Sequence, residues 1–417
     1  MDSDSSFITD LARPQTWRAV APVGLPRLRR EILAGLTSET MVGWATAFDG
    51  GLFARNDFWR RDSRHRTVQD RARRARAVLE AEAETLRGAR LCAVDADMSA
   101  LARDFGRTPA HQPLDRAVLP GEAGFVVFDE PIGALRTSLG TVLGYDLNLA
   151  PPDWVDTTVD VPIPVVAATW ARRTTAEGDH LDVSFYRPRM PNRWQALDRD
   201  LVVGTRRPDG LPVTAGTMAG LHDRVVREAG QADVSWCAHR RLRFGHTLPV
   251  PTSGTCAEAW LQVLYALFQL HALTGTQTPI SETDHVHVPA AERRRDRRAD
   301  VLDPSGAVHV VRLHSRHRSR PTDPTAPGQA RGPLDFRYPV GLYRQPSRCM
   351  DTRKHKEGTC YHVEDFPVGF HLRGPADAPI RHRVDWIGWR VRHPRPPRRS
   401  RRTTDDTDPT AGDETSN

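Results

Sequence analysis

Four possible zinc ligands lie close together in the C-terminal third of the chain: Cys349, His355, Cys360 and His362. Thiolates and imidazoles are the groups that tetrahedral zinc sites use. The stretch lacks the short paired C-x-x-C turns that preorganise such sites. A polar loop is therefore the favoured interpretation, and the sequence assigns no metal and no other cofactor.

Asp284, His285 and His287 form a second candidate set, because alternate residues of an extended segment share one face. One carboxylate and two imidazoles are enough to begin a metal site. A loop ahead of the basic segment that follows is the favoured interpretation.

Tyr343, Arg344 and His371 could support a metal-independent ribonuclease if they lay on neighbouring strands. The tyrosine or the histidine would accept the 2′-hydroxyl proton, and the arginine would stabilise charge on the phosphate. An exposed basic sheet carries the same residue types, so this activity is the second alternative rather than the main prediction.

Motifs of nucleotide-cofactor enzymes and hydrolases are missing from the sequence. It contains no G-x-x-x-x-G-K-[ST] loop, no G-x-S-x-G elbow and no G-x-G-x-x-G after a strand. A protein that is not an enzyme is therefore favoured.

Positive charge is concentrated in the C-terminal third of the chain. Residues 291–402 contain 26 Lys and Arg against 12 Asp and Glu, whereas the chain of 417 residues has a net charge of only +7. A polyanion would meet this third of the molecule first, so nucleic-acid binding is the predicted function.

Nine arginines are predicted to contact phosphate, either in a short helix or in the segments that follow it. They are Arg293, Arg294, Arg295, Arg297, Arg298, Arg316, Arg318, Arg320 and Arg344. The choice between DNA and RNA is not predicted. The alternative is an interaction or scaffold protein whose arginines meet an acidic partner, with Trp386 and Trp389 in the contact patch.

Apolar periodicity and strand-like runs predict the elements that must position these residues. Helices are expected from Leu25, over 67–87, after a cap at Asp95, after a Thr255/Glu258 capping box, and over 289–300. Strands are expected at 91–94, 124–128, 163–170, 181–186, 307–313, 336–344, 367–372 and 384–391.

These elements predict an α+β protein with a helical N-terminal region, a central mixed sheet packed on a long apolar helix, and a small basic β-rich C-terminal module. The expected regions are a disordered or extended N-terminus at 1–20, a helical region at 21–110, a central α+β domain at 111–280, a basic helix and linker at 281–305, a basic module at 306–392 with a disordered loop at 314–332, and a disordered tail at 393–417.

Four blocks, at residues 95–102 (DADMSALA), 124–132 (GFVVFDEPI), 337–345 (RYPVGLYRQ) and 368–380 (VGFHLRGPADAPI), resemble a family of proteins of unknown activity. The family occurs in high-GC actinobacteria and in their plasmids and phages. Its C-terminal block G-H-W-R-x-Q is matched by Gly341 and Arg344, whereas Leu342 and Tyr343 replace the family's His and Trp.

The family's second C-terminal block, a G-P-x-D-x-P-L turn, is matched by Gly374, Pro375, Asp377, Pro379 and Ile380. The resemblance spans residues 90–392 and implies an accessory protein of a mobile element. It brings no established reaction, and if the family's histidine has a chemical role, this chain lacks that group because Leu342 stands in its place.

A soluble, cytoplasmic protein with reduced thiols is expected. Five widely spaced cysteines do not form a disulfide framework in a chain of this length. The N-terminus shows no secretory signal pattern. The longest apolar stretch, residues 257–273, is interrupted by polar side chains and is therefore not predicted to span a membrane.

Overall fold

The computed structural model describes residues 17–48, 68–107, 113–138, 159–176, 178–189, 192–204, 212–228, 232–272, 280–301, 306–314, 338–340, 343–346, 365–368 and 371–373. For the last four stretches only the backbone is described.

Seven α-helices lie within these residues. They are α1 (Leu25–Leu36), α2 (Glu39–Phe48), α3 (Val68–Gly88), α4 (Ala96–Gly106), α5 (Ala215–Glu228), α6 (Ala257–Ala272) and α7 (Ala290–Arg298). Short 3-10 turns lie at Pro22–Gly24, Arg116–Val118 and Arg193–Ala196.

Seven strands form the main sheet, in the spatial order β10-β11-β1-β2-β5-β6-β9. They are β1 (Arg90–Val94), β2 (Ala123–Phe128), β5 (Ala167–Thr175), β6 (Gly178–Pro188), β9 (Val234–Arg243), β10 (Ser281–His287) and β11 (Ala307–Leu313). Strands β11, β1 and β2 run parallel, and every other neighbouring pair is antiparallel.

Eight shorter strands pair two by two beside the main sheet. They are β3 (Gly133–Ser138) with β4 (Asp160–Val165), β7 (Val202–Gly204) with β8 (Val213–Thr214), β12 (Tyr338–Val340) with β15 (His371–Arg373), and β13 (Tyr343–Pro346) with β14 (Asp365–Val368). A small apolar cluster joins β4, β7, β8 and α5.

The main sheet is buried on both faces, which explains the near-continuous apolar sequences of its parallel strands. Helices α4 and α6 cover one face, where Trp170 and Phe185 lie against α6. Helices α1, α2 and α3 cover the other face, which holds Phe125 and Tyr186. Alternate residues of each strand therefore belong to different cores.

The structure confirms the predicted α+β class. It also confirms the predicted cap of α4, because the Asp95 carboxylate accepts a hydrogen bond of 2.8 Å from the Met98 backbone N–H. The main sheet takes strands from residues 90 to 313 and so crosses the region boundaries expected at 110, 280 and 305. None of the described helices is long and apolar enough to cross a bilayer.

The single strand predicted at 163–170 is wrong, since the chain there forms β4 and β5 with a break at Val166. Pro162 and Pro164 carry no N–H and so cannot donate into a second ladder, which suits β4 to its single pairing with β3. The chain joins the main sheet at Val166, whose N–H donates to the Tyr186 carbonyl of β6 and whose carbonyl accepts from the Phe128 N–H of β2.

The predicted Thr255/Glu258 capping box is also wrong. Helix α6 begins at Ala257, so Thr255 lies before the cap position, with its hydroxyl 3.2 Å from that of Ser253. The Glu258 carboxylate instead accepts a hydrogen bond of 3.2 Å from Nε of Arg240 on β9. Glu258 thereby links the start of α6 to the sheet.

Candidate nucleic-acid interface

Helix α7 is held in the connection between β10 and β11. The two strands pair until His287 faces Ala307, and the Val288 N–H then donates to the Gly306 carbonyl at 3.1 Å. Asp300 adopts a left-handed conformation with φ of 54° just after the helix. The Val301 N–H reaches back to the Asp296 carbonyl at 3.0 Å, which closes the helix in a Schellman-like turn.

Two carboxylates fix one side of α7 to α1. The fully buried Arg29 donates to Asp296 at 3.1 Å and to the Ala89 carbonyl at 3.0 Å. Arg30 bonds to both Asp296 and Glu292. The hydrogen bond from Arg30 is the main reason that the pKa of Glu292 lies below its ordinary value. Both carboxylates are therefore paired with arginines of α1.

The opposite side of α7 is a surface of arginines. A helix turns by about 100° per residue, so two pairs of residues four apart, Arg293 with Arg297 and Arg294 with Arg298, lie away from the side that faces α1. All four are exposed, and none makes an ion pair within the described part of the chain. We call these four residues the arginine face. Arg295 is excluded because it pairs with Glu292.

An arginine face of this kind suits an anion with several phosphates. Guanidinium groups remain charged at any physiological pH and bind phosphate oxygens in a bidentate manner. With a rise of about 1.5 Å per residue, the four Cα atoms span only about 8 Å along the helix, a length over which duplex DNA carries about four or five phosphates on its two strands. The Cδ atom of Arg293 lies close to Gly306.

The other predicted phosphate contacts cannot be placed beside the arginine face. Arg316, Arg318 and Arg320 lie outside the described residues, as do all four possible zinc ligands, Cys349, His355, Cys360 and His362. Arg344 lies on β13, of which only the backbone is described.

The residues of the predicted ribonuclease lie on two short antiparallel ladders. Tyr343 and Arg344 lie on β13, which pairs with β14, whereas His371 lies on β15, which pairs with β12. Both ladders have the same register, because the step of three residues from Val340 to Tyr343 matches the step of three from His371 back to Val368. This pairing is compatible with the expected neighbouring strands. Only the backbone is described here, and the ribonuclease activity stays a prediction.

The suggested metal set at Asp284, His285 and His287 is also not assembled. The three residues lie on β10, an edge strand, and not on the expected loop. Asp284 pairs with Arg312 at 3.4 Å, and the ring of His285 lies edge-on to that of His309. Within the described ranges, no three His, Cys, Asp or Glu side chains are grouped as metal ligands.

Sequence reasoning missed a buried polar cluster between α3 and the sheet. Glu82 accepts hydrogen bonds from Thr169 at 2.5 Å, from Ser184 at 2.7 Å and from Tyr186. Burial raises the pKa of Glu82, although these three bonds oppose the effect. The partners lie far apart in sequence, and no local pattern signals the cluster.

Ser184, His239 and Asp182 continue this cluster in an order that resembles a hydrolytic triad. The Ser184 hydroxyl lies 3.2 Å from Nδ1 of His239, and Nε2 of His239 lies 3.7 Å from Asp182. Ser184 is fully buried and donates its proton to Glu82, so it cannot reach a substrate. Burial lowers the pKa of His239 to about 4, which keeps the imidazole neutral. The arrangement is structural.

Comparisons with known proteins add no further evidence on function. No protein-family model, no curated protein and no solved structure matches this chain.

Proposed function

We propose that the protein binds nucleic acid through the arginine face of α7. The observation that carries the proposal is the asymmetry of this helix: its two buried or half-buried carboxylates are occupied by α1, while four exposed arginines have no ion pair within the described residues. The helix is thereby fixed in an orientation that leaves its positive side to solvent.

The ion pairs beneath α7 give the arginine face a defined position. Without Glu292 and Asp296, the arginines of α1 and α7 would repel each other across the contact. With them, the positive charge of Arg29 and Arg30 is neutralised locally. The surface potential is then set by Arg293, Arg294, Arg297 and Arg298, and a polyphosphate is the ligand that matches it.

Salt dependence gives the sharpest test. If all four arginines contact phosphates of duplex DNA, the logarithm of the binding constant should fall with the logarithm of salt concentration with a slope of about −3.6, or about −2.8 for a single strand. Raising the salt from about 50 to about 200 mM should then weaken duplex binding roughly 150-fold. Fluorescence anisotropy with labelled DNA and RNA oligonucleotides measures both quantities.

Charge-matched variants distinguish the arginine face from net charge. R294Q/R298Q should reduce the duplex slope by about 1.8, because two phosphate contacts are lost. R199Q/R224Q removes the same charge from exposed arginines on other elements and should leave the slope unchanged. Glutamine is a good helix former, so α7 should persist. Equal effects in the two variants, or no salt-dependent binding by the wild type, would refute the proposal.

An acidic protein partner is the competing hypothesis, because the arginine face would also attract carboxylates. Trp386 and Trp389, its predicted contact patch, lie outside the described residues. Carboxylates also bind arginine in a bidentate manner, so the two hypotheses differ in charge density: nucleic acid carries a condensed layer of counterions, and an acidic protein surface does not carry one of that density. Polyglutamate that displaces the oligonucleotide at equal charge concentration would favour this second hypothesis. A cytoplasmic location and a role in a mobile element remain predictions.

A further inference from the structure

A further exposed arginine lies at the end of α3. Arg87 belongs to the last turn of this helix, is exposed, and makes no ion pair within the described part of the chain. Glu84, one turn earlier, is paired with Arg173 of β5 at 2.8 Å and so does not neutralise it. A Cβ atom added at the neighbouring Gly88 would meet nothing within 4 Å. The described residues therefore leave the surface at the end of α3 uncovered.

The register of the parallel strands places the end of α3 beside the start of β11. Cys92 on β1 pairs with His309 on β11. Continuing this register three residues towards the start of both strands puts Ala89 next to Gly306, at the usual strand spacing of about 4.8 Å. Ala89 belongs to the core that α1, α2 and α3 cover, and so does Val308. Because side chains alternate along a strand, Gly306 faces this same side of the sheet.

Two contacts show that α7 crosses this end of the sheet from β10 towards β1. In the first half of the helix, the Cδ atom of Arg293 lies 3.6 Å from the position of a Cβ atom added at Gly306. About one turn later, Arg29 donates to the Asp296 carboxylate at 3.1 Å and to the Ala89 carbonyl at 3.0 Å. One guanidinium group therefore holds α7 to the residue with which β1 begins after α3.

Arg297 is the member of the arginine face that this geometry brings towards the end of α3. It follows Asp296 and lies one turn beyond Arg293, on the side of α7 that passes over the end of the sheet. Asp300, just after α7, makes no ion pair with Arg297 or Arg87. Exposed guanidinium groups from two different elements thus lie at one end of the sheet, where an anion that contacts both would offset their repulsion.

We infer that Arg87 is a fifth phosphate contact, so that the nucleic-acid backbone runs from the arginine face across the start of β11 and β1 to the end of α3. This inference rests on the proposed function. It assigns the footprint to the side of the sheet that α1, α2 and α3 cover. A ligand that follows this path contacts two elements of the fold, so it must be an extended polyphosphate.

Arg90 provides a matched control, because it lies only three residues after Arg87 and is also exposed. Its side chain lies on the other side of the sheet, where it donates to the Pro120 carbonyl at 3.0 Å and lines a small cavity together with His271 of α6. R87Q and R90Q therefore remove the same charge from opposite sides of the sheet. A footprint that runs from α7 to α3 includes the first residue and not the second.

The test measures the salt dependence of oligonucleotide affinity by fluorescence anisotropy for the wild type, R87Q, R87K and R90Q. A fifth contact should steepen the duplex slope of the wild type from about −3.6 to about −4.5. R87Q should bring the slope back to about −3.6 and weaken binding roughly eightfold at about 100 mM salt. R87K retains a cation and should keep the wild-type slope, as should R90Q.

Thermal unfolding followed by circular dichroism checks that the variants are folded. Both arginines are exposed, so the melting temperatures of R87Q and R90Q should stay within about 2 °C of that of the wild type. R87K tests the charge at this position without changing the length of the side chain greatly, and so separates a phosphate contact from a structural role of Arg87 in the last turn of α3.

The outcomes distinguish this inference from the proposed function. A wild-type slope in R87Q, an equal loss in R87Q and R90Q, or a loss in R87K as large as that in R87Q would overturn the fifth contact. If R294Q/R298Q still reduces the slope, the arginine face stands without Arg87. An absence of salt-dependent binding by the wild type would instead overturn the proposed function itself.

Discussion

Acidification should destabilise the folded protein through His239. Burial lowers the pKa of this imidazole from 6.5 to about 4. Between these two values the unfolded chain binds a proton on the imidazole that the folded chain does not bind. The contribution of the neutral His239 to the free energy of unfolding is therefore fully present above about pH 6.5 and is lost as the pH falls towards 4. A difference of about 2.5 pKa units corresponds to about 3 kcal/mol.

Two neighbouring carboxyl groups affect the same measurement in known directions. The pKa of Glu82 is raised by burial, so its contribution is present below its unfolded value and is lost as the pH rises through the folded one. Acidification therefore raises the free energy of unfolding through Glu82. Burial raises the pKa of Asp182, but the hydrogen bond from Arg241 and the charges of His239, Arg241 and His180 together outweigh it and lower that pKa overall, so its contribution is lost only below about pH 4. The wild type alone would report the sum of these effects.

Urea unfolding of the wild type and of H239Q, followed by tryptophan fluorescence at four pH values between about 7 and about 4, isolates the imidazole. As the pH falls over this range, the wild type should lose about 3 kcal/mol of unfolding free energy relative to H239Q. H246Q, which replaces an exposed histidine, should show no shift. If the H239Q difference stays constant within about 0.5 kcal/mol, the reasoning about His239 is refuted.

Two substitutions test the packing that positions the candidate interface. D296A should lower the free energy of unfolding by about 3–5 kcal/mol, because it leaves the fully buried Arg29 without its carboxylate; a loss below about 1 kcal/mol in a urea titration would contradict the ion-pair argument. G124A would place a Cβ atom 2.1 Å from the fully buried Trp170 ring and should lower the melting temperature by several degrees, whereas G43A in α2, with nothing within 4 Å, should not lower it.

Much of the secondary structure could be predicted from local sequence. The apolar spacing of α1 gave a helix beginning at Leu25, and the strand at 307–313 was predicted with the bounds that β11 has. Such elements are predictable because their side-chain periodicity repeats every few residues. The break at Val166 was missed because β4 and β5 read as one continuous apolar run, although they pair with different strands.

The candidate site was predicted in part. Five arginines of α7 were expected to contact phosphate, and the structure leaves four of them without an ion pair among the described residues. The fifth, Arg295, is paired with Glu292, a residue three positions away in the same helix. Sequence spacing allowed that pair but could not show whether Glu292 and Asp296 would face α7's own arginines or those of α1.

By itself, the sequence determined the α+β class, the cap of α4 and the location of the positive charge, because each depends on residues that are near one another along the chain. Only the tertiary structure decided which charges remain exposed. Arg29 and Asp296 are 267 positions apart, and Ser184 lies 102 from Glu82 and 55 from His239. Such pairs form only when the sheet has brought distant segments into contact, since burial without a partner costs too much free energy for a charged group.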